Sequence, residues 1–263
     1  MNYRFKNSSR DLYASWDNRN VIFPTEYHRR VEICHVRSGS LTLTLDKTAY
    51  TLQEGDMYVI FPYVRHAVEV HGGSKRLWMF SPDLIPELTD ILTSRKPICP
   101  VIRADRLAPL LRKIFNRCVT LYLNEKDQSR TLVLAHTTAL MHELLRVLEL
   151  TEWGADRGVI QRLTGYLMEN YKSDITLDSA AAALGYSKFY ISHAVSEMFG
   201  CNFRRLINNY RISAAQEDLL QTSKSIWQIA YDCGFQNQST FNRTFTSLCG
   251  MTPSEYRKTK ATD

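Results

Sequence analysis

The sequence lacks long apolar runs and paired cysteines, two features that define large classes of protein. No apolar run reaches the roughly 20 residues that a membrane-spanning helix needs, and the N-terminal stretch "MNYRFKNSSRDLYASWDN" has no apolar core for a secretory signal. The six cysteines are scattered without a CxxC pair, which argues against a disulfide framework or a zinc site. We therefore expect a cytoplasmic protein with free thiols and no membrane partner.

Patterns that accompany common catalytic centres are missing as well. The sequence contains no P-loop, no GxSxG, no GxGxxG and no HExxH. Its net charge is only mildly basic, +6 from 33 basic and 27 acidic residues in a chain of 263. A charge of this size permits a nucleic-acid partner but does not by itself indicate one. Composition therefore predicts a globular protein without a catalytic signature.

The first half of the chain shows the two-residue period of β-strands from Val21 to about Phe80. In "SLTLTLDKTAYTL" leucines alternate with threonines, so the two residue types point to opposite faces. Turn-forming residues interrupt the pattern at Ser38-Gly39, Asp46-Lys47, Glu54-Gly55-Asp56 and Gly72-Gly73. Short strands separated by regular turns predict a small antiparallel barrel or sandwich at about residues 20–81.

Beyond this region the apolar residues recur every three or four positions, which predicts helices. Two such segments, about 104–123 and 128–149, are joined by the polar stretch "LNEKDQSR" and should form antiparallel neighbours. The stretch "TEWGADRG" at 151–158 is polar and contains two glycines, so we expect a linker there. The predicted domains are therefore residues 1–150 and 159–263.

The second domain contains an internal repeat. The segments "TLDSAAAALGYSKFYISHAVSEMFG" (176–200) and "SIWQIAYDCGFQNQSTFNRTFTSLCG" (225–250) each combine a short helical run, a glycine-aromatic turn and a second run with a polar face. This arrangement is a helix-turn-helix, and Ser187 and Asn237 are suitable N-caps for the second helices. A longer helix, "NFRRLINNYRISAAQEDLL", joins the copies. Two such motifs should present their second helices to adjacent major-groove faces about 34–36 Å apart.

These segments resemble the DNA-binding domain of the AraC/XylS family of bacterial transcription regulators. The resemblance covers roughly the last hundred residues and is carried by "LGYSKFYISHAVSEMFG", "YRISAAQEDLL", "IWQIAYDCGFQNQSTFNRTF" and "GMTPSEYR". The sequence departs from the family after the first recognition helix, where Ser196 and Glu197 stand in place of the lysines of many members. The resemblance implies a homodimer, formed through the helices at 104–149, that binds double-stranded DNA and RNA polymerase, responds to a small-molecule effector and activates transcription.

Ten outward positions of the two recognition helices are predicted to contact DNA. They are Lys188, Phe189, Ser192, His193, Ser196, Asn237, Gln238, Ser239, Asn242 and Arg243. Arginine suits the acceptors of guanine and glutamine suits adenine, so Arg243 and Gln238 are the leading candidates for base contacts, together with His193. Phe189 fits a core position equally well, and a merely solvated surface is the alternative for the whole set. Arg204 and Arg205 are assigned to phosphates, which fix register rather than sequence.

The N-terminal half resembles a cupin-type sensor domain. The stretches "EYHRRVEICHVRSGS" and "YTLQEGDMYVIFPYVRHAVEV" match the two cupin motifs in outline. The matching positions are Glu26, His28, Glu32 and Gly39 in the first motif and Gly55, Asp56, Pro62 and His66 in the second. Glu26, His28 and Glu32 share parity, so a single strand should aim all three into the barrel.

These side chains define the expected effector site, for a sugar or a related metabolite. Its residues are Glu26, His28, Glu32, Tyr58, His66 and Trp78. Tyr58 and Trp78 would supply stacking surfaces. We expect no metal or other cofactor, because Glu26 replaces the first histidine of the metal-binding pattern and the family's sensor domains usually bind organic effectors. His28, Glu32 and His66 would be the ligands if a metal were bound, and a barrel that binds nothing is the third alternative.

The predicted fold class is α+β with two domains. The N-terminal domain is a cupin-type β-barrel with a helical dimerisation segment, and the C-terminal domain is an all-α double helix-turn-helix. The predicted function is ligand-responsive regulation of transcription, and the protein is not expected to be an enzyme. The alternative is a metal-dependent cupin enzyme, an oxygenase or isomerase, with DNA binding as a secondary role.

Overall fold

The structure is a computed structural model, and it separates into two compact units, Ser9–Trp153 and Gly154–Asp263 with Met1–Ser8. The residues it describes are 4–5, 11–17, 22–45, 48–124, 130–152 and 156–258. Every helix in these ranges is too short or too polar to cross a bilayer. All six cysteines fall in the described part of the chain and are free thiols, as predicted.

The strands belong mainly to the first unit. In chain order they are β1 (Arg4–Phe5), β2 (Leu12–Asp17), β3 (Ile22–Tyr27), β4 (Val31–Leu45), β5 (Thr48–Gln53), β6 (Met57–Ile60), β7 (His66–Phe80), β8 (Arg95–Pro97), β9 (Val101–Ile102) and β10 (Leu150–Glu152). The helices are α1 (Thr89–Ser94), α2 (Pro109–Asn124), α3 (Arg130–Val147), α4 (Asp156–Asn170), α5 (Leu177–Leu184), α6 (Lys188–Phe199), α7 (Phe203–Gln221), α8 (Ile226–Asp232), α9 (Gln238–Cys249) and α10 (Pro253–Lys258).

Two long antiparallel strands, β4 and β7, form the centre of the first unit. They pair along their whole length, from Val31 opposite Phe80 to Leu45 opposite His66. Strands β2 and β3 pair with β7, β5 and β6 pair with β4, and β9 pairs with β6. Strand β2 adds to the sheet ahead of the predicted barrel range of 20–81, and β10 pairs with β8 in a separate small ladder.

Two of the predicted turns are wrong, because the chain continues through them as strand. Ser38-Gly39 lies inside β4 and Gly72-Gly73 lies inside β7, where the register between the two strands shifts. A Cβ on Gly39 would stand 2.1 Å from the carbonyl oxygen of Gly72, and φ of Gly39 is +74°. The glycines therefore allow two backbones to approach closely at a bulge that bends both strands. The turn predicted at Glu54-Gly55 is confirmed between β5 and β6, and Asp46-Lys47 lies outside the described residues.

The bulge also reverses which residues face each side of the sheet. On β4 the inner apolar cluster takes Cys34 and Val36 before the bulge but Leu41 and Leu43 after it. The opposite face of the sheet forms a second cluster with α2 and α3, in which Ile33 packs with Phe115 and Leu140. The two helices predicted at 104–123 and 128–149 thus cover the outer face of the sheet as α2 and α3. Their connection includes residues 125–129, which lie outside the described residues.

The second unit consists of helices arranged as two helix-turn-helix motifs, α5 with α6 and α8 with α9. The buried stripe predicted on the joining helix is confirmed on α7, in which Leu206, Tyr210 and Ala215 are all buried. Of the predicted linker at 151–158, residues 151–152 belong to β10, residues 156–158 begin α4, and residues 153–155 lie outside the described residues.

Candidate functional site

The two recognition helices, α6 and α9, begin at side-chain caps that the sequence predicted. The Ser187 hydroxyl accepts a hydrogen bond from the Tyr190 amide at 3.2 Å, and the Asn237 side-chain oxygen accepts one from the Thr240 amide at 2.8 Å. Such caps satisfy backbone N–H groups that have no partner within the helix. Both helices end at glycines in the left-handed conformation, Gly200 and Gly250. The two copies of the repeat therefore have the same local construction.

All five DNA-contact candidates on α6 are exposed, on the face opposite the buried Ile191 and Val195. Phe189 is 78% exposed, which excludes the alternative that it is a core residue. Two candidates have ionic neighbours. The Lys188 ammonium lies 3.1 Å from Asp178, and His193 Nδ1 lies 3.6 Å from Glu197. Glu197 is one of the two residues that the sequence singled out after the first recognition helix, whereas Asp178 lies on α5.

Helix α9 separates its aromatic and polar residues onto opposite faces. Phe241 and Phe245 are fully buried, and the Phe241 ring lies 5.2 Å from Phe235 and 5.6 Å from Phe245. The predicted contact residues of this motif are exposed; they are Asn237, Gln238, Ser239, Asn242 and Arg243. Among the residues that the structure describes, Arg243 forms no ion pair. This face presents amide and guanidinium donors, which are groups that suit base edges.

Arg211 on α7 holds the second unit together in a way that the sequence alone did not reveal. Its guanidinium donates to the carbonyl oxygens of Tyr171 and Ser173 at 2.7 and 2.8 Å, in the turn after α4. The same group lies 5.7 Å from the Phe235 ring centroid. One arginine therefore links the turn after α4 to the turn of the second motif. The quoted "YRISAAQEDLL" contains the residue, but only the fold shows its partners.

A polar cluster of His28, Glu32, Tyr58 and His66 lies buried in the first unit. His28 Nε2 lies 3.0 Å from Glu32 Oε2, and His66 Nε2 lies 3.5 Å from the same oxygen. The Tyr58 hydroxyl donates to Glu32 Oε1 at 2.6 Å. The structure thus brings together four of the six residues predicted for the effector site.

The prediction that Glu26, His28 and Glu32 share one strand is wrong. Strand β3 ends at Tyr27 and β4 begins at Val31, so His28 lies in the connection between them. A bend at residues 29–30 separates the two strands, and His28 Nε2 lies 3.0 Å from Glu32 Oε2 across it. Glu26 is opposite His66 in the backbone register of β3 and β7, but its side chain lies outside the described part of the structure.

Trp78 does not lie with this cluster. The inner face of β7 carries Leu77 and Met79, whereas Trp78 points to the other face and packs edge-on against Tyr122 at 5.6 Å. Its side chain is fully buried in the core between the sheet and the helices. The expectation that Trp78 offers a stacking surface beside His28 is therefore wrong, because the bulge at Gly72-Gly73 reverses the alternation along β7.

Burial controls the charges of the cluster. It lowers the pKa of His28 to about 4, against the opposing effect of the hydrogen bond with Glu32. Burial alone would raise the pKa of Glu32, but the hydrogen bonds with His28 and His66 hold that pKa well below its usual range. Burial, with Cys34 and Glu32 nearby, raises the pKa of Tyr58 well above its usual value, so its hydroxyl keeps the proton it donates. Within the cluster, an ionised Glu32 carboxylate therefore faces a neutral His28 ring and a protonated Tyr58 hydroxyl.

Both halves of the chain match known protein families. Residues 12–156 match the AraC-like ligand binding domain, and residues 180–259 match a helix-turn-helix domain. The HTH-type transcriptional regulator YdiP of Escherichia coli K12, an uncharacterised protein, is 25% identical over 92% of this chain and 82% of its own length. The regulator SAS0078 of Staphylococcus aureus, also uncharacterised, is 26% identical over 56% of this chain, and the match spans 20% of that protein's length.

The whole chain also resembles a solved structure. ToxT from Vibrio cholerae superposes with a TM-score of 0.66 at 15% identity, covering 94% of this chain and 98% of that one. A structure of the same protein with an unsaturated fatty acid bound gives a TM-score of 0.65, at 15% identity and 94% coverage of both chains. At this identity the likeness concerns the fold.

The fold and the family matches define a two-domain α+β protein, with a sheet-rich AraC-like ligand-binding domain followed by an all-helical helix-turn-helix domain. The chain belongs to the AraC family of regulators. The predicted family and fold class are thereby confirmed. Since this is a family of regulators and not of enzymes, the alternative of a cupin enzyme is set aside.

Proposed function

We propose that this regulator binds specific DNA sequences through the exposed faces of α6 and α9. The observation that carries the proposal is the repeated construction of the two helices. Each is capped at its N-terminus and buries an apolar face. Helix α9 exposes amides, hydroxyls and one guanidinium, whereas α6 exposes hydroxyls, Lys188 and His193. A solvated helix face gains nothing from this choice of side chains, whereas base edges are read by such donors and acceptors.

In vitro selection from random double-stranded DNA tests this proposal with the full chain. We expect one enriched sequence with two short half-sites about one helical turn apart, since each motif should read one major-groove face. The same selection with Gln238→Ala is the control, and it should lose preference in one half-site only. Retention of DNA without any enriched sequence would contradict sequence-specific recognition.

We also propose that the ligand-binding domain controls this activity by binding a small-molecule effector. The buried Tyr58–Glu32–His28 group offers hydrogen-bonding atoms beside the apolar residues of the inner face. The sequence resemblance favours a sugar or related metabolite, and the fatty-acid complex of ToxT makes an amphiphilic carboxylate the second candidate. Calorimetric titration of the full chain with both classes of compound decides between them, and Tyr58→Phe is the control because it removes a single hydroxyl.

Homodimerisation through α2 and α3 is part of the same proposal. Both helices pack one side on the sheet, but they leave Leu110, Leu123 and Val147 exposed by 55%, 39% and 51%. A two-fold dimer would pair two DNA-binding domains. Sedimentation analysis at micromolar concentration should give twice the chain mass, with Leu110→Lys shifting the distribution towards the monomer. A monomer at all concentrations would contradict the proposal. Activation through RNA polymerase, in the cytoplasm, completes the role that family resemblance suggests.

A further inference from the structure

We propose that His28, Glu32 and His66 form a binding site for one divalent transition-metal ion in the ligand-binding domain. The three side chains come from separate parts of the fold, namely the connection before β4, β4 itself and the start of β7. Their candidate ligand atoms all lie within 4.8 Å of one another, and all three residues are buried. Two imidazoles and one carboxylate leave further coordination positions for water or an effector.

The distances between the candidate ligand atoms fit a metal ion. Zinc lies about 2.0–2.2 Å from nitrogen and oxygen ligands, so neighbouring ligand atoms at tetrahedral or octahedral angles are roughly 3 to 3.5 Å apart. The two separations from Glu32 Oε2, 3.0 Å to His28 Nε2 and 3.5 Å to His66 Nε2, fall in this range. The remaining pair, the two imidazole nitrogens, lies within 4.8 Å and would have to approach to the same range around an ion.

The contacts of the two rings are compatible with an ion between the three ligand atoms. His28 Nδ1 lies 3.0 Å from the carbonyl oxygen of Arg30, and His66 Nδ1 lies 2.9 Å from that of Val64. A carbonyl only accepts, so a ring that carries its hydrogen on Nδ1 donates it to the backbone and turns the Nε2 lone pair towards Glu32 Oε2. In this tautomer both Nε2 atoms serve as metal ligands.

The surroundings have the construction of a metal site. Histidine ligands in proteins usually donate their other ring N–H to a carbonyl or carboxylate, which fixes the ring orientation. Both histidines here have a backbone carbonyl oxygen within 3.0 Å of Nδ1. The Tyr58 hydroxyl holds Glu32 Oε1, which leaves Oε2 as the carboxylate oxygen that faces the imidazoles. The nitrogen-rich ligand set favours zinc or another transition metal over magnesium and calcium, which prefer oxygen ligands.

The proposed metal site lies within the proposed effector site. Its existence does not depend on the proposed function, but a role for the metal in regulating DNA binding does. The metal would be either the signal itself or the group that binds an organic effector. Metal binding and DNA binding can be measured separately on the same preparation. Zinc binding without DNA binding would count against the proposed function alone, whereas DNA binding without zinc binding would count against the metal site alone.

Calorimetric titration of the chelator-treated full chain with Zn²⁺ tests the site. We expect one equivalent to bind at neutral pH, and Tyr58→Phe, which frees one carboxylate oxygen, to weaken binding by about 10- to 100-fold. His66→Gln should abolish stoichiometric binding. His71→Gln is the matched control, since His71 is exposed and pairs with Thr42 elsewhere on the sheet.

Co²⁺ absorption is measured on the unmodified chain, so its result does not depend on the folding of any variant. Visible d–d bands that saturate at one equivalent, and that Zn²⁺ displaces, would support nitrogen and oxygen ligands at a single site. Absence of stoichiometric binding of both ions, or Zn²⁺ binding that is unchanged in His66→Gln, would overturn the proposal.

Discussion

At the scale of single residues, Gly234 shows how local backbone geometry fixes the second helix-turn-helix. Its φ is +88°, and an added Cβ would lie 2.5 Å from the carbonyl oxygen of Lys172. The first motif has Gly185 at the equivalent turn, also with positive φ, but no atom lies within 4 Å of an added Cβ there. Substitution of Gly185 therefore tests the cost of positive φ alone, whereas substitution of Gly234 adds a steric overlap to that cost.

We predict that Gly234→Ala destabilises the protein more than Gly185→Ala does. Positive φ alone costs a residue with Cβ about 1–2 kcal/mol, which is the expected loss for Gly185→Ala. Gly234→Ala adds the overlap with Lys172 and should lose at least about 3 kcal/mol. Thermal unfolding monitored by circular dichroism measures both. Equal losses would show that the turn moves away from Lys172 without cost.

His35 is a buried titratable residue outside the polar cluster. It lies on the outer face of β4, with its ring 6.0 Å from the Phe115 ring. Burial, together with Arg37, Arg112 and Arg76, lowers the pKa of His35 to about 4. The unfolded chain takes up a proton near pH 6.5 and the folded chain does so only near pH 4, so acid favours unfolding between these values.

We predict that His35→Leu reduces the acid sensitivity of the protein. The wild type should lose about 2 to 3 kcal/mol at this residue as pH falls from 6.5 to 4, because each pKa unit corresponds to about 1.4 kcal/mol. Urea unfolding at a series of pH values measures the difference between the two proteins. Parallel pH profiles would mean that His35 titrates normally in the folded state.

At the scale of elements, the short helix α5 depends on its N-terminal cap. The Thr176 hydroxyl accepts from the Ser179 amide at 3.1 Å, and the Ser179 hydroxyl accepts from the Thr176 amide at 2.9 Å. This reciprocal pair is a capping box. A helix of only eight residues has few internal hydrogen bonds to offset the loss of such a cap.

We predict that Thr176→Ala lowers stability by about 1 kcal/mol. The conservative variant Thr176→Ser retains the hydroxyl and should stay within a few tenths of the wild type. Chemical unfolding followed by circular dichroism distinguishes the two variants. Equal effects of alanine and serine would assign the loss to the methyl group and not to the cap.

The elements of the second unit could be predicted from sequence because their signals are local. Ser187 and Asn237 were identifiable as caps, and the spacing of Phe241 and Phe245 indicated a buried face. The strands were harder to predict from the sequence. Gly39 and Gly72 have the composition of turns, yet they form a bulge, since only the pairing of two strands distant in sequence gives these glycines their role.

At the scale of the whole molecule, the same bulge explains what the sequence could not predict about the ligand-binding domain. Alternation predicts which residues share a face only within an uninterrupted strand. The shift at Gly72-Gly73 turned Trp78 away from the site, and the break before β4 removed His28 from the strand of Glu32. Family resemblance still identified the histidines and the glutamate, because it depends on the order of residues and not on strand boundaries.

The central claim is that the exposed face of α9 reads bases. The most direct measurement compares wild type and Arg243→Ala on the selected DNA site and on random DNA of equal length, at one salt concentration. We predict that Arg243→Ala loses about 1–3 kcal/mol on the selected site, relaxes the preference at one base position and changes random binding little.

Arg95→Ala is the control, because it removes the same charge from an exposed position of β8 in the other unit, outside the helices proposed for dimerisation. It should leave both affinities close to the wild type. Equal loss by Arg243→Ala on selected and random DNA would contradict the account, since it would reduce Arg243 to a phosphate contact.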